Sequence, residues 1–152
     1  PSQISGILLA SGGLGSWRTI FDTIVGHDPR MSVMQCQSRH ADRSLLSGTK
    51  MAFIDGRHDG EHPWEDVGIF IDDPECLIIM DDYKPDRFPD VVRAVDRART
   101  QHGRGVWIPP SGVMAWILPS CGPLLVDVMR LISISLPSMT VADLKRAFED
   151  IR

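Results

Sequence analysis

Apolar residues in this chain fall into short runs separated by amphipathic stretches, an alternation that predicts strands joined by helices. Ile4–Ala10, Thr23–His27, Ser32–Cys36, Met51–Ile54 and Leu77–Met80 read as strands. Ser16–Phe21 and Ala41–Leu46 read as short helices. Pro63, suited to a helical first turn, opens a helix to about Ile71 that Asp72-Asp73-Pro74 stops. Pro89 opens a longer helix to about His102, with Val91, Val92, Val95 and Ala98 on one face and Gly103-Arg104-Gly105 ending it. Val106–Ile108 and Val113–Leu118, separated by Pro-Pro-Ser-Gly, read as an antiparallel hairpin. Together these elements predict an α/β fold with a doubly wound, mostly parallel sheet and a C-terminal antiparallel hairpin.

The last third extends beyond that sheet. Leu124–Leu136 is apolar nearly all round, so its helix must be covered. Thr140-Val141-Ala142-Asp143 resembles a capping box, with Asp where Glu or Gln is usual. The helix it starts, through Ile151, carries Val141, Leu144, Phe148 and Ile151 on one face. The expected organisation is therefore a domain over residues 1–119 and a helical extension over 120–152, packed on the same domain or on a second subunit of a homodimer.

Composition narrows the field. A chain of 152 residues, 43% hydrophobic and 24% charged, can bury one sizeable core. The net charge of −4, with basic residues scattered, argues against nucleic acid or a membrane surface as the principal partner. Cys36, Cys76 and Cys121 are an odd, widely spaced set without Cys-x-x-Cys, which suits reduced thiols in a cytoplasmic protein. No charged-then-apolar leader opens the sequence, and Ile7–Ala10 is too short to span a bilayer.

The candidate chemistry lies between Lys50 and Tyr83. Lys50-Met-Ala-Phe-Ile-Asp55 and Cys76-Leu-Ile-Ile-Met-Asp-Asp82 are apolar runs that stop at carboxylates. In open α/β sheets ligands bind beyond the carboxyl ends of the strands, where Asp55, Asp81 and Asp82 would converge if the two strands are parallel neighbours. Three hard oxygen donors, with room for water and substrate oxygens, suit Mg²⁺. The plainer alternative is that these aspartates cap helices or stay solvated. His58 stands three residues after Asp55, and an imidazole is the side chain best suited to accept a proton at neutral pH.

Phe53-Ile-Asp-Gly-Arg-His58, the helical stretch from Trp64, Leu77-Ile-Ile-Met-Asp-Asp-Tyr83 and Val91-Val-Arg-Ala-Val-Asp96 form an ordered set. It resembles the second half of a small, metal-dependent class I S-adenosylmethionine O-methyltransferase, over about Lys50 to Arg97. The resemblance implies a Rossmann-like sheet, S-adenosyl-L-methionine with Mg²⁺ or another divalent cation as cofactors, and a small-molecule hydroxyl acceptor: a sugar, phenol or natural-product scaffold. It also implies that His58 is the base removing the substrate proton. Asp59-Gly-Glu-His62 repeats the motif, so His62 is the alternate base; Asp55, which directly ends the apolar run, favours the first copy. Trp64 would stack on the adenine, or simply pack.

On the same resemblance, Ser11, Gly12, Gly13 and Gly15 of Ser11-Gly-Gly-Leu-Gly-Ser16 would let the backbone approach the cofactor. Asp28 would hold the ribose hydroxyls, and Gln37 and Ser38 would border the adenine. Two features depart from the pattern. Leu8-Leu9-Ala10 stands where the first strand usually ends in an acid, and only Pro29-Arg30-Met31 separates Asp28 from the next strand, too few residues for a helical crossover. Two other classes therefore stay open: a methyltransferase-like module without catalysis that serves in assembly, and a metal-dependent hydrolase.

Overall fold

A computed structural model of the chain describes residues 6–9, 31–34 and 36–135. The chain divides into two units, Pro1–Ser47 and Gly48–Arg152. In the first, strand β1 (Gly6–Leu9) pairs in parallel with β2 (Met31–Met34), so the first and third of the expected strands are neighbours. A single turn of 3-10 helix at Ser38–His40 and the short helix α1 (Arg43–Leu46) come next. Asp42 caps α1, its carboxylate accepting from the Ser44 amide at 3.0 Å. The expected helix at Ser16–Phe21, the strand at Thr23–His27 and the final helix through Ile151 lie outside the described residues.

The second unit holds a four-stranded sheet. Its strands are β3 (Met51–Ile54), β4 (Leu77–Met80), β5 (Val106–Trp107) and β6 (Ala115–Ile117), in the order β3-β4-β6-β5. β3 and β4 are parallel, and β6 is antiparallel to both β4 and β5. Three strands therefore share one direction and one opposes them, giving a mixed α/β sheet. The expected hairpin does not merely close an edge: its second strand, β6, inserts beside β4 and leaves β5 outermost.

Alternation along the strands sets which face each helix covers. Ala52, Ile54, Ile78, Met80, Ala115 and Ile117 share one buried face. The helix α3 (Pro89–His102) runs against β6 and buries Val91, Ala94, Val95 and Ala98. It begins at Pro89 because a first-turn proline forfeits no helical hydrogen bond, and it ends at Gly103, whose φ of 61° is left-handed. The opposite face carries Leu77, which packs with Leu118 and with Val128, Met129 and Ile132 of α4 (Pro123–Ser135). Ile79, Trp107 and Trp116 close around that cluster, the two indoles meeting edge to face at 4.9 Å. One face of the nearly all-apolar helix is thus covered by its own sheet, while Val126 and Leu131 stay exposed.

The helix α2 (His62–Val67) is shorter than expected. Residues 68–71 continue it as turns, with the Phe70 and Ile71 amides both donating to the Val67 carbonyl. The connection from these turns to β4 is held by a side chain that hydrophobic patterning does not reveal. Arg104 is only 3% exposed, and its guanidinium donates to the carbonyls of Leu118 at 2.9 Å, Ile71 at 2.8 Å, Asp73 at 3.1 Å and Cys76 at 2.5 Å. Burial pulls its pKa below the ordinary arginine value. One planar cation therefore fastens the α2–β4 connection to the end of β6.

Cys76 opens β4 from a fully buried position, whereas Cys36 is half-buried and Cys121 exposed, so only one of the three thiols is a core group. Burial pushes the Cys76 thiol from its ordinary 9.0 up to about 11. In native protein near pH 8, iodoacetamide is expected to modify Cys121 and spare Cys76, with peptide mass spectrometry as the readout. The raised value also carries a sign for stability. The thiol is protonated in both states below pH 9, and above it the unfolded chain ionises first, so stability falls as pH rises from 9.0 to about 11. Alkylation of Cys76 as readily as Cys121 would contradict this environment.

Candidate metal centre

The parallel register of β3 and β4 brings their carboxyl ends together. Ile54 pairs with Met80, and the ladder continues one residue further as the Asp81 amide donates to the Ile54 carbonyl at 2.9 Å. Asp55 and Asp81 thus leave the sheet side by side. Beyond Asp81 the chain turns sharply: Asp82 has φ 54°, a left-handed conformation that aspartate tolerates better than most side chains. The next amide, of Tyr83, donates to the Val113 carbonyl at 2.8 Å, which fixes this turn to the segment before β6.

Of the residues singled out in the sequence, the structure gathers Asp55, His58 and Asp82. One ligand atom from each lies within 4.8 Å of the others. His58 Nε2 stands 3.3 Å from Asp82 Oδ2 and 3.8 Å from Asp55 Oδ1. Asp81 does not belong to this cluster, which differs from the expected trio of Asp55, Asp81 and Asp82. The physical reason is the turn at Asp82: it carries one of two consecutive carboxylates toward His58. Nε2 is shut off from solvent and has no hydrogen-bond partner, since the approach to Asp82 is short enough but misdirected. An orphaned nitrogen lone pair between two carboxylates is a donor set that a divalent cation would satisfy.

The ring of His58 is held from the side. Phe88 stacks on it with centroids 4.5 Å apart and planes inclined by 28°. Phe88 is itself flanked by Arg87 at 5.3 Å and Lys84 at 5.8 Å. Lys84 also pairs with Asp82 Oδ1, leaving Oδ2 toward His58. That ammonium holds the Asp82 carboxyl below its ordinary value, with the Arg87 charge adding to the effect. Neither Lys84 nor Phe88 is singled out by patterning. The only trace of them is a base two residues after the acid pair and an aromatic directly before the helix-opening Pro89.

The loop carrying His58 is tied at both ends. Gly56 passes so close to α2 that a Cβ there would lie 2.5 Å from an Asp66 carboxylate oxygen, so a larger residue in Asp55-Gly56-Arg57-His58 would have to displace the Asp66 side chain. The Gly60 amide donates to Asp90 Oδ2 at 2.5 Å, at the start of α3. An open groove of about 590 Å³ runs between Gly56–Asp59 and Arg87–Asp90, with His58 in its wall.

The second copy of the motif is otherwise engaged. Asp59 pairs with Arg57 at 2.8 Å, and His62 Nδ1 lies 3.2 Å from Glu65 Oε2 in the first turn of α2; neither joins the cluster. Trp64 packs between Arg97, 4.3 Å from its ring, and His102, at 5.5 Å. Of the expected cofactor contacts, Ser11, Gly12, Gly13, Gly15 and Asp28 lie outside the described residues. Gln37 is exposed and Ser38 half-buried in the first unit, their carbonyls accepting from the His40 and Ala41 amides.

No protein-family model matches the chain, and neither a curated protein nor a solved structure is significantly similar to it. Among the described residues, no helix is long and apolar enough to cross a membrane.

Proposed function

We propose that this chain is a divalent-cation-dependent methyltransferase that moves the sulfonium methyl group of S-adenosylmethionine to a hydroxyl of a small molecule. The observation that carries the proposal is the convergence of Asp55, His58 and Asp82 beyond the carboxyl ends of two parallel strands, where α/β sheets place ligands. The donor set fits a cation: two carboxylates supply charge, and the solvent-shielded Nε2, which makes no hydrogen bond, supplies a nitrogen donor. A bound cation would stabilise the substrate oxygen in its deprotonated form, making it nucleophilic at neutral pH.

The chain's own groups would supply position. Phe88 fixes the His58 ring, the left-handed turn at Asp82 aims its carboxylate, and the adjoining groove gives the acceptor room beside the site. As the C–O bond forms, the sulfonium C–S bond breaks and the hydroxyl proton leaves to solvent. Nε2 has a single lone pair and cannot both bind a cation and accept that proton, and we assign it the ligand role because it completes the three-donor cluster with Asp55 and Asp82. A mixed nitrogen and oxygen set also favours Mn²⁺ or another first-row metal over Mg²⁺. The doubly wound, Rossmann-like frame belongs to this proposal too, supported by helices on both faces of the second unit's sheet.

The test is methyl transfer from isotopically labelled S-adenosylmethionine to a panel of phenols and sugars, with Mn²⁺ or with chelator. Labelled product that forms with Mn²⁺ and disappears with chelator is the expected result. Failure of S-adenosylmethionine to bind at millimolar concentration would instead favour a methyltransferase-like module without catalysis.

A further inference from the structure

We infer that Lys84 is a built-in counter-ion of the candidate metal centre, which a divalent cation must displace from Asp82 in order to bind. The inference rests on the metal-centre reading and adds a residue that opposes binding there. Asp82 divides its two oxygens between partners: Oδ1 pairs with the Lys84 ammonium, and Oδ2 faces His58 Nε2. The Asp82 side chain is 23% exposed and that of Lys84 36%, so the pair is partly withdrawn from water and less screened than an ordinary surface contact. With Asp55 nearby, two carboxylates face one another across His58, and the lysine charge offsets their repulsion in the absence of a metal.

The backbone on either side of this pair is anchored, so displacement requires only the lysine side chain to swing. The Tyr83 amide is bound to the Val113 carbonyl at 2.8 Å, and the Lys84 carbonyl accepts from the amides of Arg87 at 3.0 Å and Phe88 at 2.7 Å. A resting place is at hand. Lys84 Nζ already lies 5.8 Å from the centre of the Phe88 ring, whose face attracts a cation that has lost its carboxylate. Moving there keeps Lys84 beside the groove while freeing Asp82 Oδ1 for the metal.

Competition of this kind has a sign opposite to that of a helper residue. If Lys84 merely oriented Asp82 for binding, removing it would weaken cation affinity. As a competing charge, its removal strengthens affinity. Mn²⁺ binding, followed through loss of the free-ion paramagnetic resonance signal, is expected to be about three- to tenfold tighter in Lys84→Met than in the wild type, the scale of a partly buried ion pair. Lys84→Arg, which keeps the charge, should remain close to wild type. Unchanged or weaker binding in Lys84→Met, with saturable binding in the wild type, would overturn the counter-ion role and leave the metal centre standing. Absence of saturable binding in both proteins would overturn the metal centre itself and this inference with it.

Discussion

Replacing Arg104 with alanine is expected to destabilise the protein by about 3–5 kcal/mol, the combined scale of several lost charge-assisted hydrogen bonds and of the void left by a large buried side chain. The side chain is 3% exposed, and four carbonyls, of Ile71, Asp73, Cys76 and Leu118, accept from it. Alanine would leave those oxygens without their donor around a buried void, so both the lost hydrogen bonds and the void contribute. The thermal midpoint should fall by roughly 10 °C. Arg104→Lys should recover only part of the loss: an ammonium keeps the charge, but three donors on one atom cannot span the positions a planar guanidinium reaches. Calorimetric melting of the three proteins checks this, and an alanine variant with a midpoint indistinguishable from wild type would show the four contacts to be inconsequential.

The second large effect is expected at His58. As a cation ligand it should, when changed to alanine, cost at least about tenfold in Mn²⁺ affinity, because the nitrogen donor is lost from a three-residue set. A histidine that served only as a base would behave differently: affinity would stay put and turnover would fall about 10²-fold or more. Measuring both quantities separates the roles. His62→Ala, which alters a side chain paired with Glu65 outside the cluster, should change neither by more than about twofold.

How much of this was legible in the sequence depends on the range of the interaction involved. Met51–Ile54, Leu77–Met80 and Pro89–His102 have the bounds that local patterning predicts, because their signals are local: apolar runs ending in acids, a first-turn proline, and a terminal glycine. The one local mark of the short reach of α2 is Gly68, its C-cap in an ordinary right-handed conformation, and the turns beyond it are held by Arg104, distant in the chain. The insertion of β6 beside β4 is likewise a long-range outcome, decided by packing of Trp116 and Ile117 rather than by the hairpin's own turn.

The site divides in the same way. The pairing of Asp55 with His58 was an implication of the resemblance, and a meeting of the ends of β3 and β4 was expected only on the condition that the two strands are parallel neighbours, which they are. The choice of Asp82 over Asp81 could not be read, because it depends on one backbone dihedral, the φ of 54° at Asp82. Phe88 and Lys84 act through a stack and an ion pair that no periodicity encodes.

The most direct test of the metal centre is a calorimetric titration of the chain with Mn²⁺, set beside the double variant Asp55→Asn/Asp82→Asn. Asparagine keeps the side-chain volume and removes both negative charges, so circular dichroism should show the fold retained. The account predicts one saturable cation site per wild-type chain and none in the double variant. Saturable binding that survives both substitutions unchanged, or its absence from the wild type, would contradict it.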